Sequence, residues 1–268
     1  MTKNKIVRTS TRRLISFGLG LALCPAVALA SDGIEIVDLS LGADSGTPVD
    51  INNAGQIPNS VENLYGADIR FDNATAINEN GQWVGSVFYY EDDEFIGVRG
   101  YYYDGENVYN VGALDPTYRG SGYSLANDVN IHGDVVGSSI HTPGEEAFIR
   151  YNMPGSGAML GLGHLGNHDI GTINLSSSAT AINDHRTVVG WSDLDTYNSG
   201  RTNAFKWTLN EGMTDLGTYR GSASRAVDIN NNNQILLSID YPNISNFPGG
   251  PPVPQVMSPA PADFEIGP

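Results

Sequence analysis

Residues 176–193 read SSSATAINDHRTVVGWSD, two short strand-like runs around a tight turn, and the chain repeats that phrase four more times. The other copies are Val49-Asp-Ile-Asn-Asn-Ala-Gly-Gln-Ile57, Thr75-Ala-Ile-Asn-Glu-Asn-Gly-Gln-Trp-Val-Gly85, Asn127-Asp-Val-Asn-Ile-His-Gly-Asp-Val-Val-Gly137 and Val227-Asp-Ile-Asn-Asn-Asn-Asn-Gln-Ile-Leu236. Each short apolar run ends on an asparagine: Asn52, Asn78, Asn130, Asn183 or Asn230. An asparagine at the first turn position can accept a hydrogen bond from the backbone N–H two residues on, which starts a chain reversal. Three residues later Gly55, Gly81 and Gly133 supply the left-handed backbone that such a hairpin loop requires. Asn233 tolerates that conformation in the last copy, whereas Arg186 in the fourth is a poorer fit, so that turn is expected to differ. The strands that follow are apolar and β-branched, and they close on Gly85, Gly137 and Gly190, as expected where another backbone passes close by.

The hairpin is half of a larger unit. Glu146-Ala-Phe-Ile-Arg-Tyr151 is echoed by Asn203-Ala-Phe-Lys-Trp207 and by Val98–Tyr103. Met213-Thr-Asp-Leu-Gly217 is echoed by Met159–Gly163 and Tyr109–Leu114, and the next loop recurs identically as Thr117–Ser121 and Thr218–Ser222. A complete unit therefore holds four short strands, and the turn asparagines fall 26, 52, 53 and 47 residues apart. Four antiparallel strands recurring about every 50 residues point to propeller blades, since one sheet cannot bury both faces and neighbours must stack on it. The expected fold is all-β, a small propeller of four to five four-stranded blades. The alternative is an open β-repeat stack or a prism. The spacing of 26 leaves room for only part of a first unit.

The segments flanking the repeat differ from it. Residues 1–30 read as a signal peptide, with Lys3, Lys5, Arg8, Arg12 and Arg13 ahead of an apolar stretch from Leu14 and a small-residue cleavage site near Ala30. Leu23 and Pro25 spoil the lipoprotein box around Cys24, and Thr11-Arg-Arg-Leu14 is half of a twin-arginine signal, so general secretion is preferred. The apolar stretch is too short to span a membrane comfortably. The repeat domain is placed at 31–245. Residues 246–268 hold seven of the chain's fourteen prolines and read as a flexible tail.

Removing residues 1–30 removes the only cysteine and leaves nine basic against thirty acidic side chains, a net charge of −21 with Lys206 as the sole lysine. Such a chain repels phosphate backbones and anionic lipid, which excludes nucleic acid as a partner. It also holds no disulfide, so stability rests on packing and hydrogen bonds.

The units resemble the HAF-type repeats of bacterial "probable extracellular repeat" proteins, whose unit runs His-Ala-Phe, Asp-Leu-Gly, then Ala-x-x-Ile-Asn-x-x-Gly-x-Val-Val-Gly. The similarity is best over 146–190 and 203–236, with Thr214-Asp-Leu-Gly217 and Ala181-Ile-Asn183 fitting closely and Glu146 and Asn203 standing where the family has histidine. The resemblance implies a secreted repeat protein and supplies no catalytic residues.

Several constellations are candidates for chemistry. His164 and His168, beside Asp169, lie in a loop where no common face is fixed. Asp193, Asp195 and Asn198 form part of a calcium loop, but Tyr197 sits where an oxygen ligand belongs and no glutamate follows at the right distance. Glu91–Glu94 and Glu145-Glu146 fall in equivalent loops that could share one acidic rim. Solvated loops are the preferred reading for all of these, with no cofactor required and Ca2+ as the one alternative. The chain lacks a nucleophile elbow, a metalloprotease helix and a phosphate loop, so no catalytic residue is assigned. The binding candidates are Tyr118 with Arg119 and Tyr219 with Arg220: tyrosine stacks on a sugar ring and arginine offers a fork of donors. The expected function is a secreted, non-catalytic binding module for glycan or protein ligands. The alternative is an extracellular polysaccharide-degrading glycosidase or lyase with carboxylates on one rim.

Overall fold

A computed structural model describes residues 26–29, 35–37, 50–58, 69–91, 94–118, 122–141, 144–166, 175–194, 201–241 and 256–257. These residues are all-β, and among them no helix is long and apolar enough to cross a membrane. A two-stranded ribbon pairs β1 (Ala26–Leu29) with β2 (Glu35–Val37). Three antiparallel four-stranded sheets follow in sequence order. They are β3 (Ile69–Ile77) to β6 (Val108–Asn110) through β4 (Trp83–Glu91) and β5 (Glu94–Tyr103), then β7 (Ser124–Val129) to β10 (Met159–Gly161) through β8 (Val135–His141) and β9 (Gly144–Arg150), then β11 (Ser177–Ile182) to β14 (Gly212–Gly217) through β12 (Val188–Asp193) and β13 (Thr202–Thr208). The last sheet holds β15 (Ala223–Ile229), β16 (Ile235–Asp240) and β17 (Val256–Met257). The third strand of that sheet comes from the proline-rich segment, with Met257 opposite Leu237 and Val256 opposite Ser238.

All five asparagine turns have one geometry. In each, the asparagine N–H donates to the carbonyl four residues on, and the N–H three residues on donates back to the asparagine carbonyl, as Asn130 does with Asp134 (3.1 Å) and Gly133 (3.1 Å). The side-chain oxygen accepts two more backbone N–H groups, for Asn130 those of His132 and Asp134, both at 3.0 Å. The residue three positions on is left-handed in every copy, with φ of 76° at Gly55, 74° at Gly81, 71° at Gly133, 65° at Arg186 and 59° at Asn233. The fourth turn therefore does not differ, contrary to the sequence expectation. Arg186 is held in the costly conformation by its guanidinium: Nε donates to Asp134 Oδ2 at 2.7 Å, and Nη2 to Asn152 Oδ1 at 3.3 Å. The Asp134 side chain is fully buried, so this contact satisfies a charge that solvent cannot reach.

Consecutive sheets pack through the same elements each time. The first strand of each sheet lies against the middle strands of the one before: β7 on β4 and β5, β11 on β8 and β9, β15 on β12 and β13. Among the described residues no extensive strand packing joins β15 or β16 to β3 or β4. Val84, Tyr102 and Ala76 meet Ala126, Val129, Val135 and Phe148 across the first junction. Val136, Ala147 and Ile149 meet Ile182, Val188 and Phe205 across the second, and Val189 and Ala204 meet Ile229, Ile235 and Leu237 across the third. Each fully buried side chain of this size contributes roughly 1.5–3 kcal/mol, so the sheets are stabilised mainly by one another. Close approach within a sheet requires glycine at two strand positions: a Cβ at Gly137 would meet the Leu125 carbonyl, and one at Gly190 that of Ser178.

Polar ladders run along the same junctions. The turn amides form the first: Asn52 Nδ2 donates to the Asn78 carbonyl (3.0 Å), Asn78 to Asn130 (2.8 Å), Asn130 to Asn183 (3.3 Å) and Asn183 to Asn230 (3.1 Å). A bulge in each first strand aims a second rung at the next sheet. Thr75 Oγ1 donates to the Ala126 carbonyl (2.8 Å), Asn127 Nδ2 to that of Ala179 (2.7 Å) and Thr180 Oγ1 to that of Ala226 (2.9 Å). A third rung uses serines, with the N–H groups of Gly100, Ala147 and Ala204 donating to Ser124, Ser177 and Ser224 at 2.9–3.0 Å.

Asn130 is buried in the middle of the ladder, whereas Asn230 is exposed at its end. Asn130→Ala strips two backbone N–H groups and the forward rung of their partners. It should lower stability by about 2–4 kcal/mol, and Asn230→Ala by about 1 kcal/mol. Urea unfolding of the two variants measures the difference; equal losses would remove the inter-sheet rung from the account.

Candidate functional site

The Thr218–Ser222 loop places its tyrosine by an uncommon backbone. Gly221 N–H donates to the Thr218 carbonyl at 2.8 Å, and both residues between them are left-handed, Tyr219 at φ 48° and Arg220 at φ 74°. Side chains other than glycine and asparagine adopt this conformation at a cost of about 1–2 kcal/mol each, so neighbouring contacts must hold the turn. Ser222 N–H and Oγ both donate to the Asp240 carbonyl, at 2.7 and 3.0 Å. Gly221 fits because any Cβ there would collide with Ile239 and the Asp240 carbonyl.

Tyr219, partly exposed, is among the residues that line an open groove of about 760 Å³ formed by β13–β14, the Asn183 turn and the last sheet. Leu216, Ile229 and Ile235 supply apolar lining, Leu209 is 72 % exposed at the edge, and Lys206 and Arg186 supply the positive charge. Lys206 Nζ lies 2.9 Å from Glu211 Oε2, and that hydrogen bond and charge hold the Glu211 carboxyl below its ordinary range. Among the described residues that line the groove, Glu211 is the one carboxylate. The groove thus offers an aromatic edge, a greasy floor and cationic donors within an otherwise acidic chain.

The sequence twin of this loop is built differently. In the first copy Gly122 N–H donates to the Tyr118 carbonyl at 2.7 Å, and Tyr118 is half-buried and lacks the left-handed backbone of Tyr219. Arg119 lies outside the described residues, and Arg220 is exposed. The two tyrosines precede β7 and β15, so they sit two sheets apart and do not meet at one junction. Of the calcium-loop residues, Asp193 accepts the Ser176 N–H at 2.9 Å, while Asp195 and Asn198 lie outside the described residues. The acids of the second unit are committed within the fold: Glu145 accepts from Ser138 Oγ at 2.5 Å, and Glu146 from the Gly163 N–H at 2.9 Å and faces His141 Nδ1 at 3.0 Å. His164 Nε2 lies 3.0 Å from the Glu145 carbonyl, and His168 is outside the described residues. Among the described residues no three metal-ligating side chains gather.

Sequence reasoning missed two features near the turns. One is the buried Asp134 that receives Arg186. The other is an alternation two residues before each turn asparagine, which reads Asp50, Ala76, Asp128, Ala181, Asp228. Asp50 Oδ2 accepts the Ile77 N–H of the next turn at 2.9 Å, and Asp128 Oδ2 that of Ile182 at 2.8 Å, while Asp128 Oδ1 takes Val129 N–H at 2.7 Å. Burial pushes the Asp128 carboxyl up to about 7; the two N–H donors oppose the shift, and the charges of Asp228 and Asp50 add to it. The alternation was legible as a pattern, but its meaning needed the junction.

In comparisons with known proteins, no family model matches the chain and no curated protein matches it.

The raised Asp128 pKa has a defined sign. The native state holds a proton that the unfolded chain releases, so stability falls as pH rises from about 4 to about 7, by at most about 1.4 kcal/mol per pH unit. Asp128→Asn should flatten that slope in denaturant titrations at several pH values. An unchanged slope would assign the dependence to other groups.

Proposed function

We propose that the protein is a secreted, non-catalytic repeat protein that binds carbohydrate, with the Tyr219 groove as its site. The observation that carries the reading is the conformation of the Thr218–Gly221 turn. Two adjacent left-handed residues carry side chains where glycine or asparagine would cost less, and one of those side chains is the aromatic that lines the groove. Strained backbone of this kind concentrates at functional positions. A sugar's apolar face stacks on the exposed tyrosine, and its hydroxyls take hydrogen bonds from Lys206 and Arg186. The resemblance to HAF-type extracellular repeats and the signal-like residues 1–30 support action outside the cell. The four sheets of the described residues are read as propeller-type blades in an open array, with the Asn52 turn as the start of a fifth. The support for this is that each first strand packs on the middle strands of the sheet before it. A glycosidase or lyase acting in this groove would lack a second carboxylate beside Glu211.

Glycan-array binding, run with calcium and with chelator, tests the reading. Binding to defined sugars is expected, and Tyr219→Ala should weaken it about tenfold, the worth of one aromatic contact. Sugar binding that survives Tyr219→Ala would move the site elsewhere. Absence of any bound sugar would overturn the carbohydrate reading and leave protein ligands.

A further inference from the structure

Each junction between consecutive units has a forward half and a backward half. The forward half comprises the asparagine side-chain amide, the bulge residue three positions before it, the side chains two before and two after it, and the aliphatic residue six after it. That aliphatic residue is fully covered wherever a sheet follows: Val84, Val136 and Val189 are each 0 % exposed. The side chain two after the asparagine reaches the next turn's backbone, with Asn80 Nδ2 3.0 Å from the Ile131 carbonyl, His132 Nε2 3.0 Å from that of Asp184 and His185 Nε2 3.0 Å from that of Asn231. The backward half comprises the asparagine carbonyl and the aliphatic residue just before it, and Ile77, Val129, Ile182 and Ile229 are all buried there.

The two ends of the stack carry these halves unmatched. At the Asn230 end Leu236 is 38 % exposed and Val227 49 %. Among the described residues the Asn230 amide donates only to Gln234 Oε1 at 2.8 Å. Among the described residues Asp228 takes its own Ile229 N–H at 2.7 Å but none from a following turn, and the Asn232 side chain reaches no carbonyl of a following turn. At the Asn52 end Ile51 is 55 % exposed, and among the described residues the Asn52 carbonyl accepts only the Gly55 N–H at 2.9 Å.

We propose that these ends are the two halves of one intermolecular interface, in which the Asn230 end of one molecule seats the Asn52 end of a second copy and carries the ladder across. The occupant is specified by repetition. Apart from the bulge position, where Val227 stands in place of the donors Thr75, Asn127 and Thr180, the face at Asn230 reproduces a surface that three junctions within the chain already bury, and the matching surface lies at Asn52. Both ends are uncovered together, so the chain's own first turn does not fill the site. The contact is head-to-tail and grows into longer arrays unless a rotation closes it. It is also weaker than the internal junctions. Asp228 meets Asp50 there, where the internal junctions set an aspartate against Ala76 or Ala181, and the formal charge of −16 per chain adds repulsion that salt screens.

Sedimentation velocity on the full chain tests this across a range of protein and salt concentrations. The expected result is a mass above the monomer that rises with concentration and with salt. Leu236→Arg and Ile51→Arg should each hold the chain monomeric while leaving its melting temperature unchanged, because both side chains are exposed in the single molecule. Should Leu236→Arg lower the melting temperature, Val227→Arg serves at the same end. Mixing the two blocked variants leaves one intact half on each, so the mixture should form a dimer and nothing larger. A wild-type chain that stays monomeric throughout would overturn the proposal. So would association abolished by Leu236→Arg but untouched by Ile51→Arg, since that describes a self-complementary contact.

Discussion

Each turn asparagine but the last serves its own hairpin and the next at once, and the stack depends on this. Its side-chain oxygen closes its own hairpin by taking two backbone N–H groups, while its amide hydrogens reach the acceptor four residues on and the carbonyl of the next turn. A residue that only shaped the turn, such as aspartate, would leave the neighbouring carbonyl unpaired. One that only bridged would leave the hairpin without its cap. Carboxamide alone has both an acceptor and two donors on a stem short enough for the turn. The fourth member shows how the system adapts: where the other turns place a glutamine or aspartate four residues on, Asn183 has Thr187, and its amide donates instead to Asn233 Oδ1 of the following turn at 2.8 Å.

Burial follows from that geometry. Fixing the turns at one spacing sets the first strands against the preceding sheets, and the bulges at Thr75, Asn127 and Thr180 aim side chains across the gap. Apolar residues then need only alternate. The burial pattern of β16, in which Ile235, Leu237 and Ile239 are buried while Leu236, Ser238 and Asp240 are exposed, is what one covered face produces. In β8 the residues Val135 to Ser139 are all buried, because sheets cover both faces. The contrast shows that a neighbour, more than local propensity, decides which residues count as core.

Much of the fold was therefore legible. The phrase around Asn183, its four relatives and the Ala-Phe and Leu-Gly echoes located the hairpins and the outer strands, since turn chemistry is local and a repeat amplifies it. What escaped notice was non-local. Arg186 looked wrong for a left-handed position because its compensation comes from Asp134, 52 residues earlier, in the preceding unit. The identical Thr117–Ser121 and Thr218–Ser222 loops suggested identical sites, yet Tyr219 is left-handed and exposed whereas Tyr118 is neither. The Tyr219 groove was half readable. The aromatic and its loop stood out, while Lys206 and Leu209 joined it only through the packing of β13 and β14 against the last sheet.

The asparagine ladder also has a direction, because within it each amide gives forward and each carbonyl receives from behind. A unit copied into the middle of such a series would find an acceptor ahead and a donor behind it, without any change to its neighbours. Array length is thus uncoupled from the chemistry of the ends. Gene duplication can lengthen or shorten the molecule one sheet at a time, and each intermediate remains a folded protein on which selection can act.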